Sequence, residues 1–185
     1  MDLVSVIKLP FSAERGWPEL VRARPDLLRL FVLLVLPLSL VPPVMLQLAG
    51  AHHPELFAVE ISRKPWGQVA AVFFLAEIAT FLAMGWFIKQ VAGTNKLGIE
   101  YHDAYLITAI ALAPMWLSAL GLLIPNLLAS GVIAIVGLGL SCGIVYHGVL
   151  ALCRTREDVV AEGIVHTVIG AGIIAWASLL LVVLA

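Results

Sequence analysis

The sequence predicts an all-α integral membrane protein, a bundle of five transmembrane helices with its N-terminus cytoplasmic and its C-terminus external. Three observations predict it. The 185 residues are 62% hydrophobic and only 12% charged, with mean hydropathy +1.05, whereas a soluble domain holds roughly a quarter charged residues. Five apolar runs reach the roughly 20 residues needed to cross hydrocarbon. Lysine and arginine gather on one set of connections and avoid the other. The net charge of −1 shows no bias toward nucleic acid or acidic substrates.

Residues 1–26 form an arm ahead of the first run. It carries Phe11, Trp17 and three prolines, so it is not one long helix. Its aromatics and arginines suit the cytoplasmic membrane surface, with a solvated tail as the alternative. Residues 27–185 form the membrane domain, with spans at about Leu27–Gly50, Trp66–Val91, Asp103–Ile124, Leu127–Leu152 and Val159–Leu184. Because hydrocarbon offers the backbone no partner, each span is helical. Ala49-Gly50-Ala51 has the form of a cleavage site. The run Leu27 to Leu48 is longer than a signal core of roughly 7 to 15 residues, and it is read as a retained span.

Orientation follows from the positive charges. Lys8, Arg15, Arg22, Arg24, Arg29, Lys89, Lys96, Arg154 and Arg156 share one side, against Arg63 and Lys64 on the other. The positive-inside rule assigns the first group to the cytoplasm. "AHHPELFAVEISRKP" is then the largest external loop. Pro125-Asn126 barely separates the third and fourth spans, which makes them antiparallel neighbours. Pro37, Pro42 and Pro43 interrupt the first span, where a kink and then an early, irregular end are expected. Cys142 and Cys153, eleven residues apart, would lie about 16 Å apart on one helix, too far for a disulfide.

The fourth span reads "GVIAIVGLGLSCGIVYHG" and contains Gly139-x-x-x-Gly143. The fifth supplies Gly163, Gly170, Ala171, Gly172 and Ala175. Small residues let helices approach closely in a bilayer. The expectation is packing within one chain, with a homo-oligomer face as the sharper alternative.

"YHDAYLITAIALAPMWLSALGLLIP" resembles the third span of the Yip family, the Ypt-interacting-protein domain, in its short bacterial form. Those members carry a polar start, then small residues and a proline in the span, here Ala113-Pro114, and a proline at its exit, here Pro125. "VYHGVLAL" resembles the family's tyrosine-x-glycine pattern, matched by Tyr146 and Gly148, although Leu150 stands where a proline often follows. "CRTREDVVAEGIV" resembles its short polar linker. The resemblance implies the five-span fold and, for a bacterial member, the inner (plasma) membrane. Eukaryotic members bind Rab-type GTPases. The cytoplasmic aspartate-leucine-tyrosine-glycine-proline motif of those members has no match here, so GTPase binding is not carried over.

The remaining candidates are polar residues within spans. Glu77 interrupts "VAAVFFLAEIATFLAMGW" near the midplane, twelve residues from Lys89. An ionised acid there costs about 3 kcal/mol on insertion scales. Glu77 is therefore expected to face the bundle interior, either as a structural hydrogen-bonding group or as part of a proton or cation path. Asp103, His147, Glu162 and His166 lie toward the cytoplasmic ends. Glu162 and His166, four apart, share a helix face, and carboxylate with imidazole can chelate a divalent ion such as zinc. The bland alternatives are a carbonyl partner for His147 and a dipole-compensating role for Glu162. His52, His53 and Glu55 form a rival group in the external loop. No G-x-S-x-G, phosphate loop or H-E-x-x-H occurs, so enzymatic activity is not expected.

Two functions follow as expectations. The first is a small transporter or channel-like protein for a proton or divalent cation, with Glu77 at its centre and the four other residues at its cytoplasmic mouth. The second is a non-transporting scaffold or membrane-shaping protein that binds other membrane proteins. The recurrence of ionisable residues within spans favours the first.

Overall fold

A computed structural model of the chain describes residues 17, 20, 24–53, 64–94, 98–152 and 158–184. Within them lie five helices long and apolar enough to cross a membrane, and no strand occurs among the described residues. They are α1 (Leu27–His52), α2 (Trp66–Thr94), α3 (Tyr101–Ser118, continued as a 3-10 turn over Ala119–Leu123), α4 (Leu127–Leu152) and α5 (Asp158–Leu184). The sequence placed each boundary to within a few residues. In the arm before α1, Trp17 and Leu20 are buried in the core.

The prolines of α1 act as expected at one point and not at the next. Before Pro37 the helix widens into a π-type turn over Phe31–Val35. A proline ring clashes with the carbonyl four residues back and leaves it without a donor. The wider turn relieves that clash without ending the helix. After a turn at Leu40 the chain resumes over Val41–His52, with Pro42 and Pro43 in its first turn. There the missing N–H would have had no helical partner anyway. The early, irregular end is therefore not found.

α3 is the hub of the bundle. It packs against α1, α2 and α4, and 44% of its span is buried, more than in any other span. α5 packs on α2 and α4. The α3–α4 hairpin is locked at its turn. Asn126 Oδ1 accepts from the N–H groups of Leu128 (3.0 Å) and Ala129 (3.1 Å), capping α4. Ser130 Oγ donates across the turn to Gly121 O at 2.9 Å. At the opposite end, which also holds the start of α1, Lys89 Nζ donates to Ile99 O at 2.7 Å and lies 5.6 Å from the Tyr101 ring centre.

Glycines set the closest contacts, and they are not the ones the spacing suggested. A Cβ at Gly137 would stand 2.7 Å from Ser118 Cβ and 3.0 Å from Pro114 O. One at Gly148 would stand 2.8 Å from the Trp17 ring. These approaches join α3 to α4 and the arm to α4, and Gly50 against the Trp66 ring and Gly85 against the Tyr105 ring likewise join α1 to α2 and α2 to α3. At Gly139 and Gly143 a Cβ would meet nothing within 4 Å. Their neighbours Val132, Ile135 and Val136 are exposed. The Gly139-x-x-x-Gly143 face thus looks out of the bundle, contrary to the expected packing within the chain. The seam uses the glycine two residues earlier because α3 lies on that side of α4.

The contrast makes a test. Gly137→Ala is expected to lower thermal stability by about 1–3 kcal/mol, the cost of overpacking a close contact. Gly139→Ala should leave the melting temperature of the purified protein unchanged.

Candidate functional site

α2 buries one stripe: Trp66, Ala70, Phe73, Glu77, Phe81, Gly85, Ile88 and Ala92. The intervals of three and four place these residues on a single helix face. Glu77 occupies that stripe in the middle of the span and is 4% exposed. It faces the bundle, as the cost of a lipid-facing acid requires.

Its principal partner is Trp116 on α3, whose indole N–H donates to the Glu77 carboxyl. Trp116 is itself 2% exposed. The other carboxyl oxygen, Oε2, is fully buried and has no hydrogen-bond partner among the described residues. An unsatisfied buried acceptor of this kind costs about 1–3 kcal/mol. Glu77 and Trp116 both border a partly open cavity of about 550 Å³ lined mainly by α2, α3, α4 and α5. Its wall is apolar apart from a few hydroxyls. Of these, Ser141 Oγ is already committed to Ala111 O at 2.5 Å and Thr108 Oγ1 to Ala104 O at 2.8 Å.

Apolar clusters stand at both ends of this cavity. Leu46, Trp66, Phe73 and Val183 pack together toward the Pro125 turn. Ile88, Ile110, Ile144 and Val168 belong to the core cluster on the side where α1 begins.

The other sequence candidates lie beyond that second cluster and do not converge. Asp103 is buried at the start of α3, thirteen residues from Trp116 and so about 20 Å along the helix from it. Its carboxylate lies 3.5 Å from His102 Nδ1. His102 Nε2 is 2.8 Å from Pro25 O, and since a carbonyl only accepts, Nε2 carries the hydrogen. Asp103 and His102 thus fasten the segment before α1 to the start of α3, next to an exposed Arg24–Glu100 ion pair of 2.7 Å.

His147 is half-buried, its ring edge-on to Tyr146 at 5.3 Å. Glu162 and His166 are both exposed. His166 Nδ1 donates to the Glu162 backbone carbonyl at 2.7 Å, turning back on its own helix. Among the described residues no three histidine, cysteine, aspartate or glutamate side chains lie close enough to hold a metal ion. The expected quartet of Asp103, His147, Glu162 and His166 is therefore not assembled as a zinc site. In the rival group, His52 Nδ1 donates to Leu48 O at 3.1 Å, and Glu55 lies outside the described residues.

The family-pattern residues have structural places. Pro114 lies inside α3, and its carbonyl is among the atoms nearest Gly137 of α4. Pro125 makes the exposed α3–α4 turn. Gly148 seats Trp17, and Tyr146 is exposed. Sequence reasoning missed Trp116, and it placed Trp17 with the aromatics of a membrane-surface arm where the structure buries it in the core. A signal was available: tryptophan belongs at membrane interfaces, and Trp116 lies deep within its span, where an indole N–H needs a partner.

A bundle of five helices, each long and apolar enough to cross a bilayer, with Glu77 and Asp103 buried inside it, defines an integral membrane protein. A family model for the Yip1 domain matches residues 7–182, so the chain belongs to the Yip1-domain family. No curated protein and no solved structure matches it.

The Glu77–Trp116 contact is testable by a double-mutant cycle. Trp116→Phe should destabilise the protein by about 1–3 kcal/mol, because it leaves a buried carboxyl with no partner. Adding Glu77→Leu should recover much of that loss, since an all-apolar pair carries no desolvation penalty. Thermal unfolding in nanodiscs measures both.

Proposed function

We propose that this Yip1-domain protein is a non-conducting membrane scaffold that associates laterally with other membrane proteins, copies of itself included. The observation that carries the reading is the outward face of α4. Gly139 and Gly143 present bare backbone there, flanked by exposed Val132, Ile135 and Val136. In a bilayer no hydrophobic effect draws helices together. Association relies on the close van der Waals contact that such small residues allow. The family supports the same direction, as a class of membrane proteins with membrane-protein partners.

Ion transport has less support. A relay needs groups within reach of one another, and packed isoleucine and valine side chains lie between Glu77 and the polar residues near the start of α3. The orientation that goes with this proposal has the N-terminus in the cytoplasm of a bacterial inner membrane, as the distribution of lysine and arginine argues.

Two measurements test the reading. Differently tagged copies expressed together should co-purify in mild detergent. Gly139→Leu with Gly143→Leu should reduce that recovery without changing the melting temperature. Undiminished recovery would remove the α4 face as the contact. Proteoliposomes carrying the protein should show no proton or zinc flux above empty vesicles, and a flux abolished by Glu77→Leu would restore the transport reading. A reporter fused at the C-terminus should be active only outside the cytoplasm.

A further inference from the structure

We propose that the cavity between α2, α3, α4 and α5 binds one amphiphile, a hydrocarbon chain ending in a protic head group, with the head seated at the Glu77 carboxyl. Size comes first. About 550 Å³ falls within the roughly 300–1,000 Å³ of small-molecule sites. The wall is the second observation. Met84, Leu138, Ile173 and Trp176 line it with hydrocarbon and an aromatic face, which suits an alkyl chain rather than a hydrated solute. The small residues of α5 help to make the room, with Gly172 and Ala175 on the cavity wall.

The third observation is the orphaned oxygen. Two buried polar side-chain atoms lack a partner among the described residues, Trp17 Nε1 and Glu77 Oε2. Trp17 packs tightly against Gly148 and Ile107 and does not border the cavity. Glu77 does. Trp116 holds the carboxyl from the α3 side, which leaves Oε2 to be satisfied from elsewhere. A hydroxyl or an amine can donate to that oxygen when it is unprotonated, and a hydroxyl can also accept from it when it carries the proton. An ether can only accept, so it offers nothing to an ionised carboxyl, and an alkane can do neither. The site would therefore select protic heads on apolar chains, a chemistry that a molecule dissolved in the bilayer can bring.

The test uses the full-length protein in phosphatidylcholine nanodiscs and a long-chain alcohol carrying a photoreactive diazirine in mid-chain. Mass spectrometry maps the labelled residues. Labelling is expected on the cavity faces of α4 and α5, around Leu138–Cys142 and Gly172–Trp176. Dodecanol or dodecylamine should compete it away, and dodecyl methyl ether should do so about tenfold less well, the loss of one buried hydrogen bond. The alcohol and amine arms separate a neutral head from a cationic one. Glu77→Leu should remove the preference for alcohol over ether. Gly172→Leu should suppress labelling by filling the space beside Met84, whose Cε lies 3.8 Å from the position a Cβ would take. Equal competition by the ether, a preference that survives Glu77→Leu, or label confined to lipid-facing side chains would each overturn the proposal. The last result would mean that only water satisfies Oε2. If one variant fails to fold, the competition series on the wild-type chain still decides.

Discussion

Hydrocarbon cannot hydrogen-bond, and every polar group that this chain carries into the bilayer has to find its partner inside the protein. Most do so locally. Ser39, Thr108, Ser118, Thr167 and Ser178 each donate to a carbonyl three or four residues earlier on their own helix. Others use the same need to join helices. Ser141 on α4 donates to Ala111 O on α3, one residue past the carbonyl that Pro114 leaves without its helical donor. Tyr105 on α3 donates to Leu82 O on α2 at 3.1 Å. Among the described residues the accounting does not close for the Trp17 indole N–H or for Glu77. One oxygen is bonded to Trp116 and the other has no protein partner among the described residues.

The same solvent removes the usual force between helices. Lipid tails are as apolar as leucine, so the bundle coheres through close packing and these few cross-helix bonds. That explains why α3 is the hub. It carries Ala104, Ala109 and Ala111 among its buried positions, and it receives Gly137 of α4 against Pro114 and Ser118. It also explains the docking of the arm. Trp17 fills the notch at Gly148 with its whole indole buried, so a stretch ahead of the first span completes the core at that end of the bundle.

These packing choices divide the polar residues into two sets with separate roles. Near the start of α1, Asp103 and His102 fasten the segment before that helix to α3. In the middle of the bundle Glu77 stands alone beside an apolar cavity. Proximity in the sequence suggested a joint path or a metal site. The intervening valine and isoleucine side chains, and the outward turn of Glu162 and His166, keep these groups apart.

Five spans, their limits and the inward orientation of Glu77 were legible in the sequence. Each rests on a cost that the residue incurs wherever the neighbours are: run length against bilayer thickness, a carboxyl against hydrocarbon. The rest depended on which faces meet. In a soluble helix the polar side marks what points outward. Here the lipid-facing side chains Val72, Leu75 and Leu82 are as apolar as the buried Phe73 and Phe81, so hydropathy carries no phase. Only the tertiary structure could decide that Gly137 and Gly148 make the seams while Gly139 and Gly143 face out, that Trp116 answers Glu77, and that a cavity lies beside them. Contacts between apolar surfaces in an apolar solvent are selected by shape, and shape exists only once the helices are assembled.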